Sequence, residues 1–222
     1  MMAAGSGRRH PRRIVKAALH GAATILVSPA IALSRIEAAL VPGSERMFQL
    51  CTHVLAFVPG TAGNFLRRAF YAHTLDGPTG ECALSFGVIL SHRETTIEDG
   101  VYVGPYAIIG SCHLKAGSLI GSRASVLSGS TLHQLDAEGR WTPYEPARAR
   151  KVAIGPHAWV GEGAIIMADV GPHTQVAAGA VVSTSLPGGV MVAGNPARFV
   201  KTLERPGADP DAGDPPTAPP AP

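Results

Sequence analysis

The chain has 222 residues, 45% of them hydrophobic and 5% aromatic, with 26 glycines, 19 prolines and a formal net charge of +3. That length suits one domain with small appendages, and the glycine and proline content favours many small turns over aromatic-centred packing. Much of the modest positive charge sits in the N-terminal RRHPRRIVK, so the chain offers no nucleic-acid-binding face.

Residues 1–13 read as a disordered basic N-terminus. From Ala17 to Ser34 the run AALHGAATILVSPAIALS carries no formal charge. It meets the lower length limit of a membrane span, and a cleaved signal is an alternative because Ala30-Ile31-Ala32 follows an apolar stretch. Lys16, His20, Pro29 and the predominance of alanine weigh against both. The reading adopted is a helix lying on the membrane surface or on the domain, in a cytoplasmic protein whose helices can place it at the inner face of the membrane. Ser44 is a candidate N-cap for SERMFQLCTHVLAFV, which ends at Pro59, and AGNFLRRAFYAHTL supplies a further helix from near Asn64. Residues 14–81 are therefore expected to be helical and to cover one end of the main domain. The alternative is a basic amphipathic surface, carrying Arg67 and Arg68, that touches anionic lipid. Cys51, Cys82 and Cys112 are widely spaced with no CxxC, which fits ordinary buried thiols in a reducing compartment rather than disulfides or zinc.

From residue 82 the pattern changes. Aliphatic residues fall at Ile97, Val103, Ile109, Leu114, Ile120 and Val126, each step six residues except one of five. The ladder resumes at Ile154, Val160 and Ile166, slips to Val170, and continues at Val176 and Val182. Smaller side chains follow four positions later, with His113 among these corner positions. A six-residue step would walk an apolar position around a 3.6-period helix, and alternation is too short for a flat antiparallel sheet. Short strands joined by tight corners, three sides to a turn, satisfy it. About four turns result, with CALSFGVILSHRETT (82–96) supplying an irregular fifth. The tail 202–222 holds seven of the 19 prolines in its RPGADPDAGDPPTAPPAP and reads as disordered.

The stretch AIGPHAWVGEGAIIMADVGPHTQVAAGAVVSTSLPGGVMVAGNPARFVK, with Trp159 and Gly161, the AGAVV rung and the closing AGNPAR, resembles the hexapeptide-repeat acyltransferases. The resemblance covers residues 82–201 and is strongest to maltose, galactoside and serine acetyltransferases and to bacterial exopolysaccharide-modifying enzymes. It implies an all-β solenoid, a left-handed parallel β-helix, working as a homotrimer with acetyl-CoA as acyl donor and no metal.

The ladder breaks from Leu132 to Ala153, and a structureless insert of that size in a compact repeat usually has a purpose. His133 stands at its start, where similar enzymes carry the general base; neutral imidazole accepts a proton near pH 7, so an acceptor hydroxyl could attack the thioester directly. His92, in ILSHRE, is the rival, because serine acetyltransferases place an important histidine in an early coil. His157 and His173 lie in GPH turns and are expected to be exposed. The resemblance implies coenzyme A contacts for Trp159, Gly161, Ala178, Gly179, Arg198 and Lys201, with the two cations near its phosphates; otherwise Trp159 packs against the loop and those cations lie on a solvated C-terminal helix. Relatives often carry lysine where Thr184 stands. The implied activity is O-acetylation of a saccharide-type acceptor, with an amino acid or amine as another acceptor. The alternatives are a non-catalytic scaffold docked on a membrane and, on the same prism, a carbonic anhydrase, whose three zinc histidines need a tighter spacing than this chain offers.

Overall fold

The computed structural model describes residues 10–129, 133–143 and 149–203. The segments expected to be disordered, 1–13 and 202–222, lie outside the described residues except at their inner ends, where residues 10–13 are already helical and Thr202 still belongs to a strand.

Three helices come first: α1 (His10–Leu40), α2 (Arg46–Ala56) and α3 (Gly60–Thr74). α1 continues through Pro29, a residue expected to disfavour an unbroken helix there. Proline cannot donate to the carbonyl four residues back, and here Ser28 Oγ donates to Ile25 O instead, at 2.8 Å. The start of α2 also differs from expectation. Ser44 is not its cap; Ser44 Oγ donates to Glu37 Oε1 at 2.7 Å. The Glu37 carboxylate, reaching over from α1, accepts the Met47 and Phe48 N–H groups at 2.9 and 3.2 Å and so caps α2 from outside. α3 starts earlier than expected, at Gly60.

Arg67 belongs to no surface. It is fully buried, donating Nε to Leu84 O at 3.0 Å and Nη1 to Leu55 O and Val58 O at 2.9 and 2.8 Å. It thereby ties the carbonyl end of α2 to the first strand, which removes one of the two cations from the expected basic surface.

Among the described residues fifteen strands, numbered in chain order, fall into three sheets. The seven-stranded sheet holds β1 (Ala83–Leu84), β4 (Tyr102–Val103), β7 (Leu119–Ile120), β10 (Trp159–Val160), β12 (Gln175–Val176), β14 (Val190–Ala193) and β15 (Arg198–Thr202). The five-stranded sheet holds β2 (Ile89–Leu90), β5 (Ile108–Ile109), β8 (Ser125–Val126), β11 (Ile165–Ile166) and β13 (Val181–Val182). The three-stranded sheet holds β3 (Thr96–Ile97), β6 (Cys112–Leu114) and β9 (Val152–Ile154), and isolated bridges extend it from Ile154 to Val170 and on to Leu186.

All pairings are parallel except that of β14 with β15. The chain visits the three sheets in rotation and pairs each strand with its counterpart one circuit on. Each two-residue strand turns one side chain inward, so the inward column of the large sheet is Leu84, Val103, Ile120, Val160, Val176 and Val192, all buried. Val103, Ile120, Val160 and Val176 belong to the six-residue ladder, Leu84 and Val192 extend the column at its two ends, and stacking them gives one continuous core.

His113 departs from expectation. It is the half-buried middle residue of β6, with Nε2 2.6 Å from Glu98 Oε1, rather than a corner residue. The five-residue step before Leu114 shifts the phase, so that Cys112 points inward. Cys51, Cys82 and Cys112 are buried free thiols. Burial pushes the Cys82 thiol up to about 11 and raises Cys51 and Cys112 as well, which makes all three poor nucleophiles.

Candidate active site

The insert leaves the repeat where the five-stranded sheet hands over to the three-stranded one. Its return is closed by Arg150 N–H donating to Ser128 O at 2.7 Å, and by an Arg150–Asp169 ion pair. Between these ends the described residues form a small hairpin, not the structureless excursion expected. Leu135 bridges Trp141 antiparallel, Thr142 N–H donates to Gln134 O at 2.7 Å, and Gln134 N–H donates back to Thr142 Oγ1 at 3.0 Å. Asp136 organises the turn by accepting the Glu138 and Arg140 N–H groups at 3.0 and 2.8 Å. The Arg140 N–H first, and then its guanidinium, hold the Asp136 carboxyl below the usual carboxylate range.

His133 lies at the base of this hairpin, exposed, with Nδ1 2.9 Å from Thr142 O. A carbonyl only accepts, so Nδ1 carries the hydrogen and the lone pair of the neutral ring is left on Nε2. Backbone geometry alone therefore sets the tautomer that a general base needs.

His92 follows β2 at the same hand-over between sheets. The β2–β5–β8 register, extended two residues, aligns it with Ser111 and Ser128, so it lies about 10 Å along the stack from the point where the insert departs. Its Nδ1 is 2.7 Å from Glu45 Oε2, and Glu45 Oε1 accepts the Arg93 N–H at 2.7 Å. The hydrogen bond to Glu45 raises the proton affinity of His92, outweighing the opposite effect of burial. His157 and His173 stand exposed at the return to the seven-stranded sheet, in left-handed backbone (φ 54° and 56°), with rings stacked 5.2 Å apart. Among the described residues no three His, Cys, Asp or Glu side chains gather as a metal site.

The residues singled out for coenzyme A fall elsewhere. Trp159 is 51% exposed in the outward row of the seven-stranded sheet, Tyr102–Leu119–Trp159–Gln175–Met191–Lys201, so the register places Lys201 in line with Trp159. Arg198 is exposed opposite Ala193. Both cations lie on an antiparallel strand rather than on the C-terminal helix considered above, because β15 folds back along β14. Thr184 is exposed between exposed serines. Gly161 has a packing reason for being glycine: a Cβ there would lie 2.5 Å from Ala178 N in the next circuit. Gly179 is exposed in left-handed backbone, φ +69°, with open space beside it, and Ala178 before it is exposed too. Within one chain, then, His133 and His92 share one hand-over, while the six coenzyme A candidates occupy the large sheet and its hand-over to the five-stranded one.

A cavity of about 420 Å³ lies away from both groups, lined by Lys16, His20 and Ala17 of α1, Arg68 and Ala72 of α3, and residues Thr79 to Glu81. Burial first, and Arg68 and His73 next, lower the proton affinity of His20 there.

No family model matches the chain, and no curated protein matches it. Solved structures do. A variant of AntD, an N-acyltransferase from Bacillus cereus crystallised with dTDP-4-amino-4,6-dideoxyglucose and coenzyme A, is similar over 58% of this chain and 74% of that one, with 22% identity and a TM-score of 0.50. A maltose O-acetyltransferase from Clostridium difficile 630 is similar over 72% of this chain and 87% of that one, at 18% identity and a TM-score of 0.50. The acetyltransferase domain of PglB from Neisseria gonorrhoeae FA1090, in complex with acetyl coenzyme A, is 25% identical over 56% of this chain and 51% of that one, with a TM-score of 0.44. At the identities of the first two, what this chain shares with them is the fold.

Proposed function

We propose that this protein is an acyl-CoA-dependent O-acetyltransferase acting on a saccharide hydroxyl, with its three sheets wound as a left-handed parallel β-helix over 82–201. The observation that carries the reading is the tautomer of His133: the Thr142 carbonyl holds Nδ1–H, so Nε2 is left as a proton acceptor.

The chemistry is a direct transfer. The acceptor hydroxyl gives its proton to His133 Nε2 as its oxygen attacks the thioester carbonyl of acetyl-CoA. The tetrahedral oxyanion collapses, the C–S bond breaks, and the imidazolium returns the proton to the departing thiolate. An acyl-enzyme is unnecessary, in keeping with the raised, buried thiols. Coenzyme A suits the outward row of the large sheet: Trp159 offers a flat apolar surface to the pantetheine or adenine, and Lys201 and Arg198 offer charge to phosphate. Ala178 and Gly179 leave the neighbouring backbone open to approach, and Gly161 keeps that corner thin. The coenzyme A of the AntD complex and the activity named for the maltose enzyme support this choice. The AntD sugar nucleotide and maltose support a saccharide-type acceptor, and the N-acyltransferase activity of AntD keeps an amino sugar as the second reading.

His133 and the coenzyme A row are separated within the chain, so the site is completed by a neighbouring copy. A homotrimer with cofactor grooves between subunits satisfies this. Exposed apolar side chains at Ile108, Leu119 and Ile165 of the walls, and at Trp141 of the hairpin, give such copies surfaces to bury. Residues 14–75 associate with a membrane surface, at the inner face of the membrane.

The test is release of free thiol from acetyl-CoA by the purified protein, against a panel of sugars, amino sugars and nucleotide sugars. His133→Ala is expected to lower kcat by about 10²-fold or more. Unchanged turnover in that variant would remove His133 as the base, and wild type that neither binds acetyl-CoA nor releases thiol would favour a scaffold.

A further inference from the structure

α1 turns two different faces to its surroundings. Ala23, Val27 and Ser34 are buried on the side packed against α2 and α3. On the other side Ile14, Leu19, Leu26, Leu33, Ile36 and Leu40 are each 42 to 75% exposed. At 100° per residue these six fall within about 140° of the helix circumference, over a length of about 39 Å. Lys16 and Arg35 lie outside that stripe, and Glu37, at its edge, turns inward to Arg93. Beside α1, α2 exposes a second apolar row at helical spacing, Leu50, Val54 and Phe57. A helix that buries one apolar side and leaves another uncovered along its whole length needs a second apolar phase.

We propose that α1 is an in-plane membrane anchor, its outer stripe sunk into the interfacial layer of an anionic bilayer with the helix axis parallel to the surface. This rests on the membrane-surface association proposed above and assigns its geometry. Charge selects lipid over a second copy. Lys16 and Arg35 are fastened inward, and the arginines that remain before the first acidic residue, Glu37, are Arg8, Arg9, Arg12 and Arg13. Two such segments facing each other would repel, whereas anionic headgroups attract every one of them.

The inner face decides against spanning, although Ile14–Leu40 is long and apolar enough to cross. It is fastened at both ends: Lys16 to Glu81 at 2.7 Å, Arg35 Nε to His73 O at 2.6 Å, and Glu37 and Ser34 Oγ to Arg93 at 2.8 and 2.5 Å. An upright α1 would break these bonds or carry Arg93 and Glu37, both 7% exposed, into hydrocarbon. Lying flat breaks none of them. An enzyme held in this way meets acceptors presented at the surface, which narrows the acceptor class to a saccharide carried on lipid.

The experiment is flotation of the full-length protein with vesicles of phosphatidylcholine alone and of phosphatidylcholine with a quarter phosphatidylglycerol. It compares wild type with Leu26→Glu/Leu33→Glu, whose targets are exposed; thermal melts verify that the variant folds. The expected result is binding to the anionic vesicles only, weakened by salt, and at least about tenfold weaker in the double variant. In a separate Leu26→Trp variant, lipids brominated near the headgroup should quench the added fluorescence more than lipids brominated deep in the chain. Wild type that floats with neither vesicle would overturn the membrane association and this geometry together. Equal binding by the double variant would overturn the α1 stripe and leave the association standing, as would a lipid-free oligomer that the double variant dissociates. Deeper quenching would replace the in-plane helix with a spanning one. Thiol release in detergent reads out acyl transfer independently of all these outcomes.

Discussion

His92 and His133 show how two histidines at one hand-over are given different characters by single contacts. His133 faces a carbonyl, so its tautomer is set without a neighbouring charge. His92 faces the Glu45 carboxylate, which stabilises the imidazolium; burial opposes this and Glu94 assists it. A folded-state pKa raised above the ordinary value of 6.5 contributes stability that is complete below that value and is lost as pH rises through the raised one. His92→Gln should therefore lower Tm more at about pH 6 than at about pH 9, since the wild type has lost the contribution by the higher pH. A gap between the two melting curves that stays constant with pH would show that the pair adds no proton-linked stability. His92 and His133 could both be picked out from the chain, one by resemblance and one as its rival. Their partners, Glu45 and Thr142, could not, because the first is 47 residues away along the chain and the second is a backbone oxygen.

At the scale of an element, the glycines divide into two physical kinds. Gly161 follows an inward aliphatic and faces the backbone of the next circuit, where a Cβ would lie 2.5 Å from Ala178 N. Gly179 has open space beside it and a left-handed φ of +69°. Gly161→Ala should cost about 1–3 kcal/mol through overpacking, and Gly179→Ala about 1 kcal/mol through backbone strain alone. Denaturant titrations check this, and equal losses at the two positions would contradict the distinction. The ladder of aliphatics was legible because each strand contributes one buried side chain per six-residue step. The phase of β6 was not, since a single five-residue step exchanged Cys112 for His113 at the inward position. The continuity of α1 was also hidden, because it depends on the Ser28 hydroxyl serving the carbonyl that Pro29 leaves unpaired.

For the whole molecule, the separation of His133 from the row proposed to hold coenzyme A governs the reading. It makes assembly part of the proposed site rather than an accessory to it. Light scattering is expected to give a trimer, and Trp141→Ala, which removes an exposed apolar side chain from the hairpin, is expected to lower acceptor kcat/KM by about tenfold without unfolding the protein. A fully active monomer would rule out a site shared between copies. The uncovered apolar side of α1 belongs to this scale as well. Composition showed the segment to be apolar, but not which side was already covered.

The six-residue period by itself determined the architecture of short strands visited in rotation, since no helix or flat sheet buries residues at that spacing. It also located the break and the histidine beside it, while apolar runs and helix stop signals located the helices before it. Tertiary structure alone decided that Arg67 is interior, that the insert is a hairpin, that β15 folds back as a strand and that α1 keeps an uncovered apolar side. The physical reason is one of range. Period and composition report which residues must leave water, while partners, phase and the covered face depend on contacts between residues far apart in the chain.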